Sequence, residues 1–311
     1  MIISAPEEKN TAHPNIWAVA GGKGGVGKSV LTTAIAMTMA SQGHRCIMID
    51  ADLGGANLHT FLGMSPPKKT ISDLFTDPGK NLQDILLTTP FVNLSLISGA
   101  RAMLNIANLK YLQKEKLIRQ VFSLEADYIF IDLGAGSSFN VLDFFIAAHY
   151  GLVVITPTPT SIENAYHFLR AAYFRKLRQV IRELKVEALV DSAFGEKEQN
   201  RIRSPRELMN ELRFRDREAS ELIEHAMMTF SPGLIVNQVQ RKEDNNLGQE
   251  IALACKDFLG INITVAGDVR FDDEVLISLK SRQPVLTMFP KSPFIQDVRQ
   301  IVKKFGMLAE I

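Results

Sequence analysis

Cysteine, tryptophan and net charge are all scarce in this chain of 311 residues. It has two Cys, one Trp, and 35 Lys and Arg against 34 Asp and Glu, a formal charge of +1. Cys46 and Cys255 stand in apolar stretches without a CxxC neighbour; this excludes a disulfide framework or a cysteine-based zinc site and suits a reducing compartment. The near-neutral balance excludes a histone-like polyanion binder or an acidic tail as the main theme. Apolar runs stop short of the roughly 18 residues of a membrane span, even around Val141–Thr158. Residues 1–14 hold Glu7, Glu8, Lys9 and two prolines with no apolar run, so no secretory signal is expected and the predicted location is cytoplasmic. What remains, 46% hydrophobic and 22% charged, is ordinary globular composition.

Short apolar runs alternate with helical periodicity, the mark of a doubly wound α/β fold with a mostly parallel sheet flanked by helices. Strands are expected at Asn15–Ala20, Arg45–Asp50, Asn93–Ile97, Asp127–Asp132, Gly151–Ile155, Leu234–Val236 and Ile261–Ala266. Helices are expected at Lys28–Ser41, stopped by Gly43, at Leu109–Leu124, and at Ser292–Phe305. Residues 165–230 break the rhythm. They lack a strand-like run, and Arg170–Glu224 carries 13 basic and 11 acidic side chains. A long helix from Ile162 to about Glu187, a loop around 195–203, and a capping box at Ser204-Pro205-Arg206-Glu207 predict a helical, solvated insertion. The whole chain, 1–311, reads as one domain containing it.

The strongest chemical signal is Gly22-Lys23-Gly24-Gly25-Val26-Gly27-Lys28-Ser29, which fits GxxxxGK[ST] between a strand and a helix. Glycines let successive N–H groups turn inward around phosphate oxygens. The helix that follows adds its positive end, Lys28 reaches the β- and γ-phosphates, and the Ser29 hydroxyl ligates Mg²⁺. Two strands ending in Asp50 and Asp132 supply carboxylates beside the loop for the metal.

Lys23, a second lysine within KGGVGKS, makes the loop resemble the deviant Walker A loop of the MinD/ParA family of ATPases, and within it the FlhG/FleN and MinD group. Asp50-Ala51-Asp52-Leu53-Gly54-Gly55-Ala56-Asn57-Leu58 is similar to that group's switch I, and Ile131–Gly136 to its switch II. Pro157–Tyr166, containing Glu163, Val236-Asn237 and Gly267-Asp268-Val269-Arg270 resemble its later nucleotide-side segments. The resemblance implies ATP and Mg²⁺ as cofactors, an ATP-dependent homodimer in which Lys23 reaches the partner's phosphates, and slow, dimer-dependent hydrolysis. It implies that Asp52 positions the attacking water, that Asp50 and Asp132 hold Mg²⁺, and that Asn237, Asp268, Val269 and Arg270 lie on the adenine side. Asn237-Gln238-Val239-Gln240 has no carboxylate for guanine's exocyclic amine, which favours ATP over GTP.

The function so implied is a switch that positions or counts a flagellum, a chemosensory array or a division site, with a protein partner that stimulates it or is positioned by it. A DNA-partitioning role is the alternative, supported only by Arg170, Arg175, Arg178 and Arg182 at about helical spacing. An iron–sulfur carrier is excluded, because neither cysteine is placed for a shared cluster. The family's glutamine-containing N-terminal segment is not expected in 1–14. The stripe Phe294, Ile295, Val298, Ile301, Val302 and Phe305 is expected to be core, with peripheral attachment to the membrane's inner face as its alternative.

Overall fold

The computed structural model describes residues 14–52, 55–77, 79–99, 111–186, 205–241, 244 and 246–309. Eight strands form one sheet in the order β3-β4-β2-β5-β1-β6-β7-β8. They are β1 (Asn15–Ala20), β2 (Cys46–Ala51), β3 (Leu87–Thr88), β4 (Leu94–Ile97), β5 (Tyr128–Leu133), β6 (Tyr150–Ile155), β7 (Gly233–Val239) and β8 (Thr264–Arg270). All neighbours are parallel except the short edge pair β3–β4. The central strands are apolar at nearly every position because both faces are covered.

Alternation along each strand divides the core in two. On one face Ile16, Ala18, Ile129 and Ile131 pack with α4 (Tyr111–Phe122), α5 (Phe139–Ala147), α6 (Pro159–Glu183) and α9 (Leu247–Leu259). On the other, Trp17, Val19, Met48 and Phe130 pack with α1 (Lys28–Ser41) and α12 (Pro293–Ala309). Phe294, Ile295, Val298, Ile301 and Val302 of α12 are all buried there, so this stripe is core from 294 to 302.

Besides the short β3, which was not expected, and β7, which runs on past Val236 to Val239, two parts of the chain differ from expectation. The last strand is Thr264–Arg270, not Ile261–Ala266, because Ile261 is drawn under α9. Gly260 ends that helix in the left-handed conformation, and the Ile261 N–H bonds the Cys255 carbonyl. The second difference lies in residues 165–230. Helix α6 buries Phe168, Leu169, Ala172, Tyr173, Leu177, Val180 and Ile181 against the sheet. Helices α7 (Pro205–Arg215) and α8 (Arg217–Met227) add Met209, Leu212, Ile223 and Met227 to the same core. Where it is described, at 165–186 and 205–230, the segment is largely helical, and one face of it is core rather than solvated. The expected loop at 195–203, the Ser204 cap, residues 1–13 and the Phe305 side chain lie outside the described residues.

Candidate functional site: a phosphate loop at the sheet's carboxyl edge

The loop leaving β1 is shaped by glycine. Gly25 and Gly27 have φ of +81° and +92°, where L side chains are strained. A side chain at Gly22 would strike the Asn164 carbonyl of α6 at 2.2 Å, and one at Gly27 the Asn237 amide at 2.3 Å. The loop is thus wedged between α6 and β7 and opens directly onto the N-terminus of α1, whose unpaired N–H groups favour anions. Lys28, only 8% exposed, has no carboxylate partner among the described residues. A buried ammonium that feels the Asp132 carboxylate through its field but makes no direct ion pair among the described residues fits a site built for an anion.

The register of the sheet places the acids. Asp50 on β2 and Asp132 on β5 are direct neighbours, at the same end as the loop. The Ser29 hydroxyl donates to Asp132 Oδ2 at 2.6 Å, and the Thr32 hydroxyl to Asp132 Oδ1 at 3.3 Å. Burial pushes Asp132 up to about 6 against the Ser29 bond, the Lys28 charge and Thr32. Burial likewise pushes Asp50 up to about 7, although the Leu58, Asn57 and Asp52 N–H groups all donate to it. Both carboxylates therefore gain from a nearby cation. Ser29, Asp50 and Asp132 offer hard oxygens on one side only, and no group of three His, Cys, Asp or Glu able to hold a metal occurs among the described residues. That donor set fits Mg²⁺, which keeps waters and takes its remaining ligands from phosphate, better than an all-protein metal cage.

The remaining predicted residues separate into two groups. Asp52 belongs to the site: its Oδ1 accepts the Gly55 N–H at 3.1 Å, and a Cβ at Gly134 would lie 3.4 Å from its carboxylate. The Gly136 N–H donates to the Gly21 carbonyl at 3.1 Å, tying the loop after β5 to the phosphate loop. Lys23 is exposed, and its ammonium donates to Thr160 Oγ1 at 3.2 Å. Asn237 is 5% exposed, and its amide donates to the Val26 carbonyl at 2.8 Å, bracing the loop while also bordering the cavity.

Glu163, Asp268 and Val269 do not line that cavity. Glu163 faces solvent with His167 at 3.8 Å, and Val269 is fully buried in the core, since β8 runs on to Arg270, past the Ala266 at which the strand was expected to end. Arg270 does border the cavity, but its guanidinium is held by Asp297 at 2.8 Å.

The cavity beside the loop, about 360 Å³, has an apolar wall that the pattern of motifs did not indicate: Phe61, Phe271, Val275, Leu276 and Leu279. Four of these come from β8's exit and α10 (Asp273–Ser281). The one signal for them was Asp272 before an amphipathic run. Asp272 is itself a lining carboxylate, but its oxygens accept the Glu274 and Phe294 N–H groups and so cap two helices.

A model of the ParA family, described as NUBPL iron-transfer P-loop NTPase, matches residues 13–184. The chain belongs to the ParA family of P-loop NTPases. Antiactivator FleN of Pseudomonas aeruginosa is 33% identical to this ParA-family chain over 167 residues, 53% of the chain and 59% of that protein. Flagellum site-determining protein YlxH of Helicobacter pylori is 31% identical over 162 residues, 50% of the chain and 53% of that protein. The chain thus spans little more than half the length of these curated relatives. Among solved structures, Pyrococcus horikoshii MinD complexed with Mg-ADP has the same fold, with a TM-score of 0.65 at 17% identity, covering 95% of this chain and 97% of that one. Among the described residues no helix is long and apolar enough to cross a membrane.

Proposed function

We propose that this ParA-family chain is a Mg²⁺-dependent ATPase that switches by dimerising on ATP and positions or counts a cellular structure such as a flagellum, chemosensory array or division site. The observation that carries this reading is the buried Lys28, with no direct ion pair among the described residues, beside the Ser29–Asp132 pair, with the second lysine, Lys23, exposed at the loop's tip. Lys28 and the loop amides would bind the phosphates; Ser29, Asp50 and Asp132 would hold Mg²⁺; Asp52, between the two switch loops, would orient the attacking water. Mg²⁺ supplies neutralisation of the charge that develops on the phosphates. Lys23 would act in trans on a second copy. Relatives named for antiactivation and for the flagellum site support the positioning role. The same reading takes 1–311 as one domain whose 165–230 helices elaborate a crossover, located in the cytoplasm and reaching the membrane only peripherally.

The iron-transfer activity in the family's description is not proposed for this chain. Burial pushes the Cys46 and Cys255 thiols up to about 12 and 11, and the two belong to opposite faces of the sheet. The DNA-partitioning alternative is weakened because Arg175 is held by Asp143 at 2.7 Å.

The test is Lys23→Ala. Each protomer should bind ATP as before, while ATP-dependent dimerisation seen by light scattering disappears and turnover falls by about 10³-fold, the low end for a cation supplied in trans. A normal dimer with normal turnover would reject the switch.

A further inference from the structure

Helices α4, α5 and α6 enclose a second cavity of about 500 Å³, on the face of the sheet opposite α1 and α12 and away from the phosphate loop. At its floor Asp143 is shared by Lys114 and Arg175, two cations on one carboxylate, with side-chain exposures of 12%, 6% and 29%. Arg175 also lies over the Phe139 ring at 5.0 Å. Arg119, Arg178 and Arg182 stand exposed around the mouth, and Ile118 and Ile146 give an apolar wall. Counted over the lining, five basic groups meet three acidic ones, Glu115, Asp143 and Glu183, a net of +2. Glu183 accepts the Gln179 amide at 2.8 Å, along its own helix.

We infer that this cavity is a docking site for an acidic peptide segment of a protein partner, one that carries carboxylates to Arg119 and Arg178 and an aliphatic side chain to the Ile118–Ile146 wall. The geometry distinguishes this from a nucleic-acid face. A phosphate backbone needs an open basic track and offers nothing apolar, whereas here the basic groups ring a concavity that contains three carboxylates and an aliphatic wall. Guanidinium groups around an apolar depression match the arrangement in which charge steers and an apolar anchor holds.

The location gives the site a route to the nucleotide. Helix α5 starts at the Ser138 cap, in the loop that follows Asp132, and α6 starts at the turn where Thr160 receives Lys23. Asp143 and Arg175 join these two helices. The inference stands on its own geometry and does not require the nucleotide reading to hold.

The test uses a fluorescein-labelled twelve-residue peptide of Glu-Glu-Leu-Leu repeats, followed by anisotropy with the full chain at about 50 mM salt. Arg178→Glu and, on the opposite wall, Arg119→Glu should each weaken binding about tenfold, while Arg299→Glu on α12 should not. Melting curves on all three variants show whether the fold is kept, and Arg178→Gln gives a milder second variant should Arg178→Glu melt early. Equal affinity in wild type and both cavity variants overturns the inference. So does an equal loss in Arg299→Glu, which would mean unspecific charge attraction. A 20-base-pair duplex that displaces the peptide and is lost in the same variants would assign the surface to nucleic acid instead.

Discussion

Removing the Asp143 carboxylate is the perturbation whose size the structure best determines. Asp143 joins three helices that are distant in sequence, through Lys114 on α4 and the Arg175 fork at 2.7 and 3.0 Å on α6. Exposed ion pairs are worth about 0–1 kcal/mol, but breaking a buried one costs about 3–5 kcal/mol because a charge is left in a poor environment. Lys114, at 6% exposure, belongs to the second regime; Arg175, at 29%, lies between the two. Asp143→Ala should therefore cost about 3 kcal/mol at neutral pH, measured by urea unfolding with wild type alongside. Lys114→Met in the same background should recover part of the loss, since it removes the ammonium that the carboxylate had balanced.

The pH dependence has a definite sign. Burial alone would raise Asp143, but the Arg175 and Lys114 bonds outweigh it and hold the carboxyl below the ordinary range. A carboxylate with a depressed folded value stabilises above its unfolded value of about 3.9 and loses that contribution as pH falls through the folded value. The gap between wild type and Asp143→Ala should thus be full at pH 6–7 and close below about pH 4. A gap under about 1 kcal/mol at neutral pH, the range of a surface pair, or one that persists unchanged in acid, would refute the reasoning.

Three other outcomes follow from the nucleotide site. Lys28→Ala should abolish detectable ATP binding by calorimetry, because the cradle loses its buried cation; an unchanged affinity would reject the phosphate-loop assignment. Asn237→Ala should lower stability by about 1–2 kcal/mol, since the Val26 carbonyl loses its donor, and should weaken ADP binding in the same preparation; stability equal to wild type would show that the brace contributes nothing. Asp52→Ala should bind Mg²⁺-ATP normally and turn over about 10²-fold more slowly, accumulating as the ATP-bound dimer. Single-turnover rates equal to wild type would remove Asp52 from the chemistry.

How much of this was legible in the sequence depended on the range of the interaction responsible. Strands β1, β2, β5 and β6 fell within a residue of expectation because a strand covered on both faces must be apolar at nearly every position. The phosphate loop was legible because its glycines are required locally, by positive φ and by the close approach of α6 and β7. The register that pairs Asp50 with Asp132 was not written in either strand; it follows from which strands are neighbours. Strand β8 was misplaced because its last residues, Gly267-Asp268-Val269-Arg270, look like a loop, while the apolar Ile261 serves the end of α9.

The same distinction of range explains the arginines of α6. Their spacing along one helix predicted a uniform basic stripe, but the nearest carboxylate to Arg175 is 32 residues away on another helix. Neutralising that one position turns a stripe into a ring around a cavity. A stripe would bind any polyanion along its length. A ring with an aliphatic wall discriminates, because an incoming chain must bring both a carboxylate and an apolar group to the same place. Specificity at this surface thus comes from Asp143, an acidic residue within a basic surface, and no inspection of α6 alone could have located it.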